Sequence, residues 1–122
     1  AKRDWGFAKE YVEAMWLMLQ QEVPEDFIIS TGKSHSVREF VELAFDFVNI
    51  KIIWKGKGIS EKGIDKKTGK ILVEIDPYFF RPLEVEELNG NSSKAKDKLS
   101  WSAKTSFKDL VKIMMKSDLD NL

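Results

Sequence analysis

Arg81 and Glu84 stand three positions apart across Pro82 in Y-F-F-R-P-L-E-V-E-E-L-N-G, residues 78–90, directly after three aromatics. Apolar neighbours on both sides point to a partly enclosed place, where an unpaired charge is costly. Either the two charges satisfy each other or they receive a ligand. A local ion pair of that kind would contribute under ~1 kcal/mol at a surface. The chemistry on offer is binding rather than bond-making, because no self-sufficient catalytic set accompanies these residues. The chain has one histidine, His35, and no cysteine, which leaves little material for a zinc centre or a histidine-based triad. Neither Tyr11 nor Tyr78 has a lysine four residues later, so no tyrosine–lysine acid/base pair is present. G-K-G-I-S-E, residues 56–61, approaches a dinucleotide fingerprint but carries Glu61 where the third glycine belongs, and it reads as a loop. No G-x-x-x-x-G-K-[ST] occurs.

The elements that must position this pair follow from the hydrophobic pattern. In F-A-K-E-Y-V-E-A-M-W-L-M-L-Q-Q, Ala8, Tyr11, Val12, Met15, Trp16 and Leu19 recur at helical spacing, with Pro24 beyond the end. D-F-I-I-S-T, residues 26–31, is a short β-rich run ended by Gly32. Ser36 and Glu39 have capping-box spacing at the start of a second helix whose apolar stripe is Val37, Phe40, Val41, Ala44 and Val48. I-K-I-I-W-K-G and K-I-L-V-E-I read as strands, with D-K-K-T-G as the turn before the second. A short helix follows Asn91, Ser92 or Ser93 as cap. The last is capped by Thr105 or Ser106 and turns Phe107, Leu110, Val111 and Met114 inward.

Totals bound the function classes. With 122 residues and 43% apolar side chains, the chain supports one domain with a modest core. Twenty basic and twenty acidic residues argue against nucleic-acid binding, which favours a basic excess. No apolar run approaches the ~20 residues of a membrane span and no signal peptide opens the chain, so a soluble cytoplasmic protein is expected. The opening A-K-R-D-W lacks a methionine and enters a helix almost at once, which reads as a fragment. Of the remaining polar residues, Arg3 beside Asp4 forms an ordinary neighbouring pair, and Arg38 is placed to pair with Glu42 on its helix. His35 reads as a hydrogen-bonded turn residue. Trp5, Trp16, Trp54 and Trp101 read as packing residues, with Trp5 at a site edge, and the lysines of 94–98 and 104–116 as solvated helix faces.

Three stretches, K-R-D-W-G-F-A-K-E-Y-V-E-A-M-W, S-T-G-K-S-H-S-V-R-E-F and F-F-R-P-L-E-V-E-E-L-N-G-N-S-S-K-A-K-D-K-L-S-W, resemble in order the C-terminal part of the extended short-chain dehydrogenase/reductase superfamily. The resemblance is closest to the GDP-mannose 4,6-dehydratase family and runs through most of the chain, weakest across residues 49–73. Departures are Phe7 for the usual histidine, Leu83 for threonine, Ser100 for glycine or asparagine, and Ala103 for proline. Such a resemblance implies an α/β fold: the C-terminal lobe of an NAD(P)-binding Rossmann-type protein, an incomplete sheet with about four helices and two to four short strands. Residues 1–122 would be a single nucleotide-sugar-binding portion, and D-F-I-I-S-T a strand of a Rossmann sheet whose neighbours lie outside this chain. The N-terminal Rossmann domain, holding NADP and the catalytic residues, would also lie outside it, so the chain itself would supply no catalytic residue and bind no cofactor.

Carried over by motif, Arg3 and Arg81 would bind the diphosphate of GDP-mannose, and Glu84 would accept hydrogen bonds from ribose hydroxyls. The physics agrees, because a guanidinium gives paired, permanently charged bonds to phosphate oxygens and a carboxylate only accepts. Implied partners are GDP-mannose, an N-terminal segment or companion chain, and further copies in a homo-oligomer. Near relatives that reduce the dehydratase product share much of the pattern. A stand-alone nucleotide-sugar-binding module and a scaffold that has lost ligand binding are the alternatives.

Overall fold

A computed structural model describes residues 1–122. Four helices are interleaved with five short strands in two small antiparallel sheets, an α/β arrangement. Strand β1 (Lys2–Asp4) pairs antiparallel with β2 (Ser34–Ser36), Arg3 opposite His35. Helix α1 (Ala8–Leu19) follows β1, and α2 (Val37–Phe47) grows directly out of β2. The second sheet has the order β3 (Ile52–Lys55), β4 (Lys62–Asp65), β5 (Ile71–Glu74). Helices α3 (Ser93–Leu99) and α4 (Phe107–Asp120) close the chain.

Local chemistry explains most of these boundaries. Ser36 Oγ accepts from the backbone N–H of Glu39 at 3.0 Å, the first half of the anticipated capping box, while the Glu39 carboxylate goes to His35 instead. Ser106 caps α4 in the same way through Asp109 N–H at 3.1 Å. At α3 it is Asn91 whose side chain accepts from Ser93 N–H, at 3.0 Å. Gly63 in β4 lies under Trp54 and beside Val73, where a Cβ would sit 3.0 Å from the indole and 3.1 Å from the valine Cβ, so any side chain there would press on both neighbours.

The core forms where α1 meets α3. Ala14, Ala95, Leu99 and Trp101 are buried together, with Tyr11, Leu17, Met18, Phe27 and Ile29 packed around them. Two alanines at the helix contact let the backbones approach, and the Trp101 indole fills the remaining space. Its Nε1–H donates to the Glu10 carbonyl at 2.9 Å. The Glu10 carboxylate in turn accepts from the backbone N–H groups of Lys104 (2.7 Å) and Thr105 (3.0 Å), tying the first turn of α1 to the entry of α4. A second cluster joins α2 to α4, where Leu110 and Val111 are buried and Trp5, Phe40 and Phe107 stack in tilted and edge-on contacts.

Several expectations are corrected. Five strands form rather than two to four, because three-residue β1 and β2 are too short to show alternation in sequence. D-F-I-I-S-T joins no sheet of this chain, and no backbone hydrogen bond within the chain involves residues 27–30. Phe27 and Ile29 do turn inward while Ile28 faces out, so the segment keeps the alternation of a strand without a neighbour. The α2 stripe has no fully buried member, and Val37 and Met114 are exposed. Trp16 is 61% exposed rather than packed. Arg38 pairs with Glu61 and lies over the Trp54 ring, while Glu42 accepts from Trp54 Nε1, so the α2 pair Arg38–Glu42 does not form. Lys94 and Lys98 are not merely solvated: both reach Glu25, at 3.6 and 2.7 Å.

Two outcomes follow from this core. Trp101→Ala is expected to cost about 3–5 kcal/mol, read by urea unfolding followed by circular dichroism; a loss under ~1 kcal/mol would place the core elsewhere. For Glu10, burial alone would raise the carboxyl pKa, but the bonds from Lys104 and Thr105 and the Lys104 charge outweigh it and hold the pKa below its ordinary value. A depressed folded pKa contributes stability above the unfolded value and loses it as pH falls through the folded one. Thermal midpoints measured from neutral to acidic pH should therefore fall less steeply in Glu10→Gln than in the parent chain.

Candidate functional site

Strand β1 carries the site because it has neighbours on both edges. On one edge is β2. On the other, residues 86–88 run parallel to it: Lys2 N–H donates to the Glu86 carbonyl at 2.6 Å, and Leu88 N–H donates to the Lys2 carbonyl at 3.0 Å. Two parts of the chain more than eighty residues apart thus lie side by side, and Arg3 comes to face the segment that contains Glu84.

The Arg3 guanidinium is held by three acceptors. Nη1 donates to the carbonyls of Lys2 (2.7 Å) and Val85 (2.8 Å), and Nη2 donates to Glu84 Oε1 at 2.6 Å. Glu84 Oε1 also accepts from Val85 N–H at 3.2 Å, while Oε2 accepts from no protein group. Of the five guanidinium hydrogens, those on Nε and the second on Nη2 stay uncommitted, so Arg3 can donate further while its orientation is fixed. The pair remains partly open to solvent, the side chains being 27% and 40% exposed, and its worth to folding is correspondingly small.

Asp4 does not pair with Arg3. Its carboxylate turns to the other side of β1, where Oδ1 accepts from Thr31 N–H (2.9 Å) and Thr31 Oγ1–H (2.6 Å), and Oδ2 accepts from Gly32 N–H (2.9 Å) and Gly90 N–H (3.4 Å). Burial would raise the Asp4 pKa, yet these bonds together hold it below the usual carboxylate range. Gly90 packs so closely on Ser30 that a Cβ there would lie 2.5 Å from the serine Cβ. Asp4 was legible only as part of R-D-W. The bonds that give it a role come from residues 27, 28 and 86 positions further along the chain.

Of the three residues singled out by sequence, Arg3 and Glu84 are brought together, and Arg81 is not joined to either. Arg81 is exposed and enters no ion pair or hydrogen bond, so the answer to the Arg81–Glu84 question is that Glu84 is satisfied by Arg3 while Arg81 stays free. Around it Tyr78, Phe79 and Leu83 are also exposed, Leu83 at 97%. None of the five principal cavities is lined by Arg3, Arg81 or Glu84. The largest, about 640 Å³, lies beyond β2 among Trp5, His35, Glu39, Leu43 and Phe107. Trp5 is anchored there by Nε1–H donating to the His35 carbonyl at 2.9 Å. His35 is hydrogen-bonded as anticipated, Nδ1 to Glu39 Oε2 at 2.8 Å, but it stands in strand β2 rather than in a turn, and its ring stacks on Phe107 with centroids 4.0 Å apart.

The loop reading of residues 56–61 holds: Gly58–Ser60 form a single 3-10 turn that joins antiparallel β3 to β4. A dinucleotide cradle needs a strand, a glycine turn and a helix N-terminus in sequence. These residues do not fit NADP.

Comparison with known proteins bears directly on this arrangement. A family model described as GDP-mannose 4,6 dehydratase matches residues 1–114. The GDP-mannose 4,6 dehydratase of Dictyostelium discoideum is 58% identical over 120 residues, which are 98% of this chain and 34% of that protein. Those of Drosophila melanogaster and Homo sapiens are 53% and 52% identical over 120 residues, again 98% of this chain and 30% and 32% of theirs. The chain spans about a third of the length of these curated relatives. With a family model covering nearly the whole sequence, the chain belongs to the GDP-mannose 4,6-dehydratase family.

Proposed function

We propose that this chain is the nucleotide-sugar-binding portion of an NADP-dependent GDP-mannose 4,6-dehydratase of the extended short-chain dehydrogenase/reductase superfamily. The observation that carries the reading is the Arg3–Glu84 contact, which sets a guanidinium with donors to spare against a carboxylate with one free oxygen. Arg3 and Arg81 hold the diphosphate of GDP-mannose, and Glu84 accepts from the ribose hydroxyls through Oε2. Pro82 restricts the backbone between Arg81 and Glu84 and so limits their relative motion. The family reaction oxidises the mannose at carbon 4, eliminates water across carbons 5 and 6 and returns the hydride to carbon 6, giving GDP-4-dehydro-6-deoxy-mannose. This chain contributes binding energy remote from the reacting carbons, which holds the sugar in register for the chemistry. The catalytic residues and the NADP cradle belong to the rest of the enzyme, in the cytoplasm, and the isolated chain is inactive.

Surface composition favours an enzyme lobe over a stand-alone module. Only 8 of 122 residues are buried. Along α1, Val12, Met15, Trp16 and Leu19 form one exposed apolar stripe. The unpaired segment 27–30 adds free backbone groups, and buried Ser30 Oγ has no partner. Unpaired strand-like backbone and a continuous apolar stripe both favour association. The remainder of the enzyme covers these surfaces and supplies the second wall of the site, and whole enzymes assemble as homo-oligomers.

Calorimetry separates the readings. GDP-mannose, GDP and NADP are titrated into the chain alone and into the chain joined to the remaining two-thirds of the enzyme. Binding of GDP-mannose only in the joined form supports the lobe; micromolar binding by the chain alone supports a module; no binding in either form overturns both. In the binding-competent form, Arg81→Glu should weaken GDP by roughly 10–100-fold, the loss expected for bonds to a charged group. An unchanged affinity would remove Arg81 from the site.

A further inference from the structure

The Asp4 carboxylate bonds to neither Arg3 nor Glu84, yet it reaches Gly90, at the end of the stretch that carries Glu84. Asp4 follows Arg3 directly in β1, where successive side chains point to opposite faces, so Arg3 and Asp4 hold the two ends of the 84–90 stretch from opposite sides of the strand. On one side, Arg3 Nη1 holds the Val85 carbonyl at 2.8 Å. Between them, Lys2 exchanges backbone hydrogen bonds with Glu86 and Leu88. Further along, Asp4 Oδ2 accepts from Gly90 N–H at 3.4 Å and from Gly32 N–H at 2.9 Å. The stretch 84–90 has no other regular pairing, and besides these points only the Ser34 hydroxyl, donating to Glu87 Oε1 at 2.6 Å, ties it to the β1–β2 sheet.

From this geometry we infer that Asp4 is a positioning residue for nucleotide binding: by clamping Gly90 and the Thr31–Gly32 turn to β1, it sets the register of residues 84–90 and hence where Glu84 stands relative to Arg3. A slip of one residue would turn Glu84 to the opposite face. Asparagine cannot replace the carboxylate, because its amide has one acceptor oxygen and would present N–H groups to backbone N–H groups. Close packing of Gly90 on Ser30 makes the clamp stiff, since the segment cannot move towards Ser30. The inference rests on the proposed diphosphate and ribose roles of Arg3 and Glu84.

The test uses the complete enzyme carrying this segment, with GDP-mannose as substrate and GDP as competing ligand. Asp4→Asn should raise the GDP-mannose KM and the GDP inhibition constant together by about tenfold or more, with kcat changed under about threefold. That split reports lost ground-state binding. In a double-mutant cycle with Glu84→Gln, the two effects on KM should be strongly less than additive although the side chains do not touch. Thr31→Val, which removes one of four bonds to Asp4, should give a smaller rise in KM, and it serves if Asp4→Asn does not fold. Wild-type enzyme without dehydratase activity would overturn the functional reading itself. Active wild type with an unchanged KM in the folded variant, or additive effects in the cycle, would overturn the positioning role alone.

Discussion

Lys2–Asp4, three residues of extended backbone, hold the candidate site together, because they join segments from the start, the first third and the last third of the chain. Their backbone pairs with β2 on one edge and with residues 86–88 on the other. Their side chains then divide the work: Arg3 reaches Glu84 on one face, and Asp4 gathers Thr31, Gly32 and Gly90 on the other. Each bond is modest, ~1 kcal/mol or somewhat more where a charge is involved. Their shared dependence on one strand couples the placement of these charges.

Energetically the rest of the chain is a scaffold with one good contact and several unfinished ones. The α1–α3 contact is small and closed, with alanines where the helices touch and Trp101 bonded to Glu10. In contrast, the outer face of α1, together with Ile28, has the composition of interior surface and the exposure of exterior surface. Full burial of a side chain such as Leu19 or Trp16 is worth about 1.5–3 kcal/mol, so covering this stripe would contribute as much as the site's own contacts.

How much of this was legible beforehand depended on the range of the interaction involved. Helical spacing, the Ser36 and Ser106 caps and the D-K-K-T-G turn are local, and all three appear where the pattern put them. Strands β1 and β2 were missed because three residues carry no usable period, and their pairing is between distant parts of the chain. Arg38 went to Glu61 rather than Glu42 because β4 and its preceding turn bring a carboxylate to α2 that helical spacing cannot anticipate. Arg3, Arg81 and Glu84 were legible as a motif. That Arg3, not Arg81, satisfies Glu84 depends on the parallel run of residues 86–88, and nothing local announces it.

The sequence contains three arginines, Arg3, Arg38 and Arg81, and Arg38 is committed to Glu61 and Trp54. Arginine side-chain Nε–Hε resonances, recorded on the complete enzyme while GDP is added, therefore test the central claim with an internal control. Concerted, saturable shifts of Arg3 and Arg81 with Arg38 unmoved are the predicted result. GDP bound with Arg3 and Arg81 both unmoved would contradict the account.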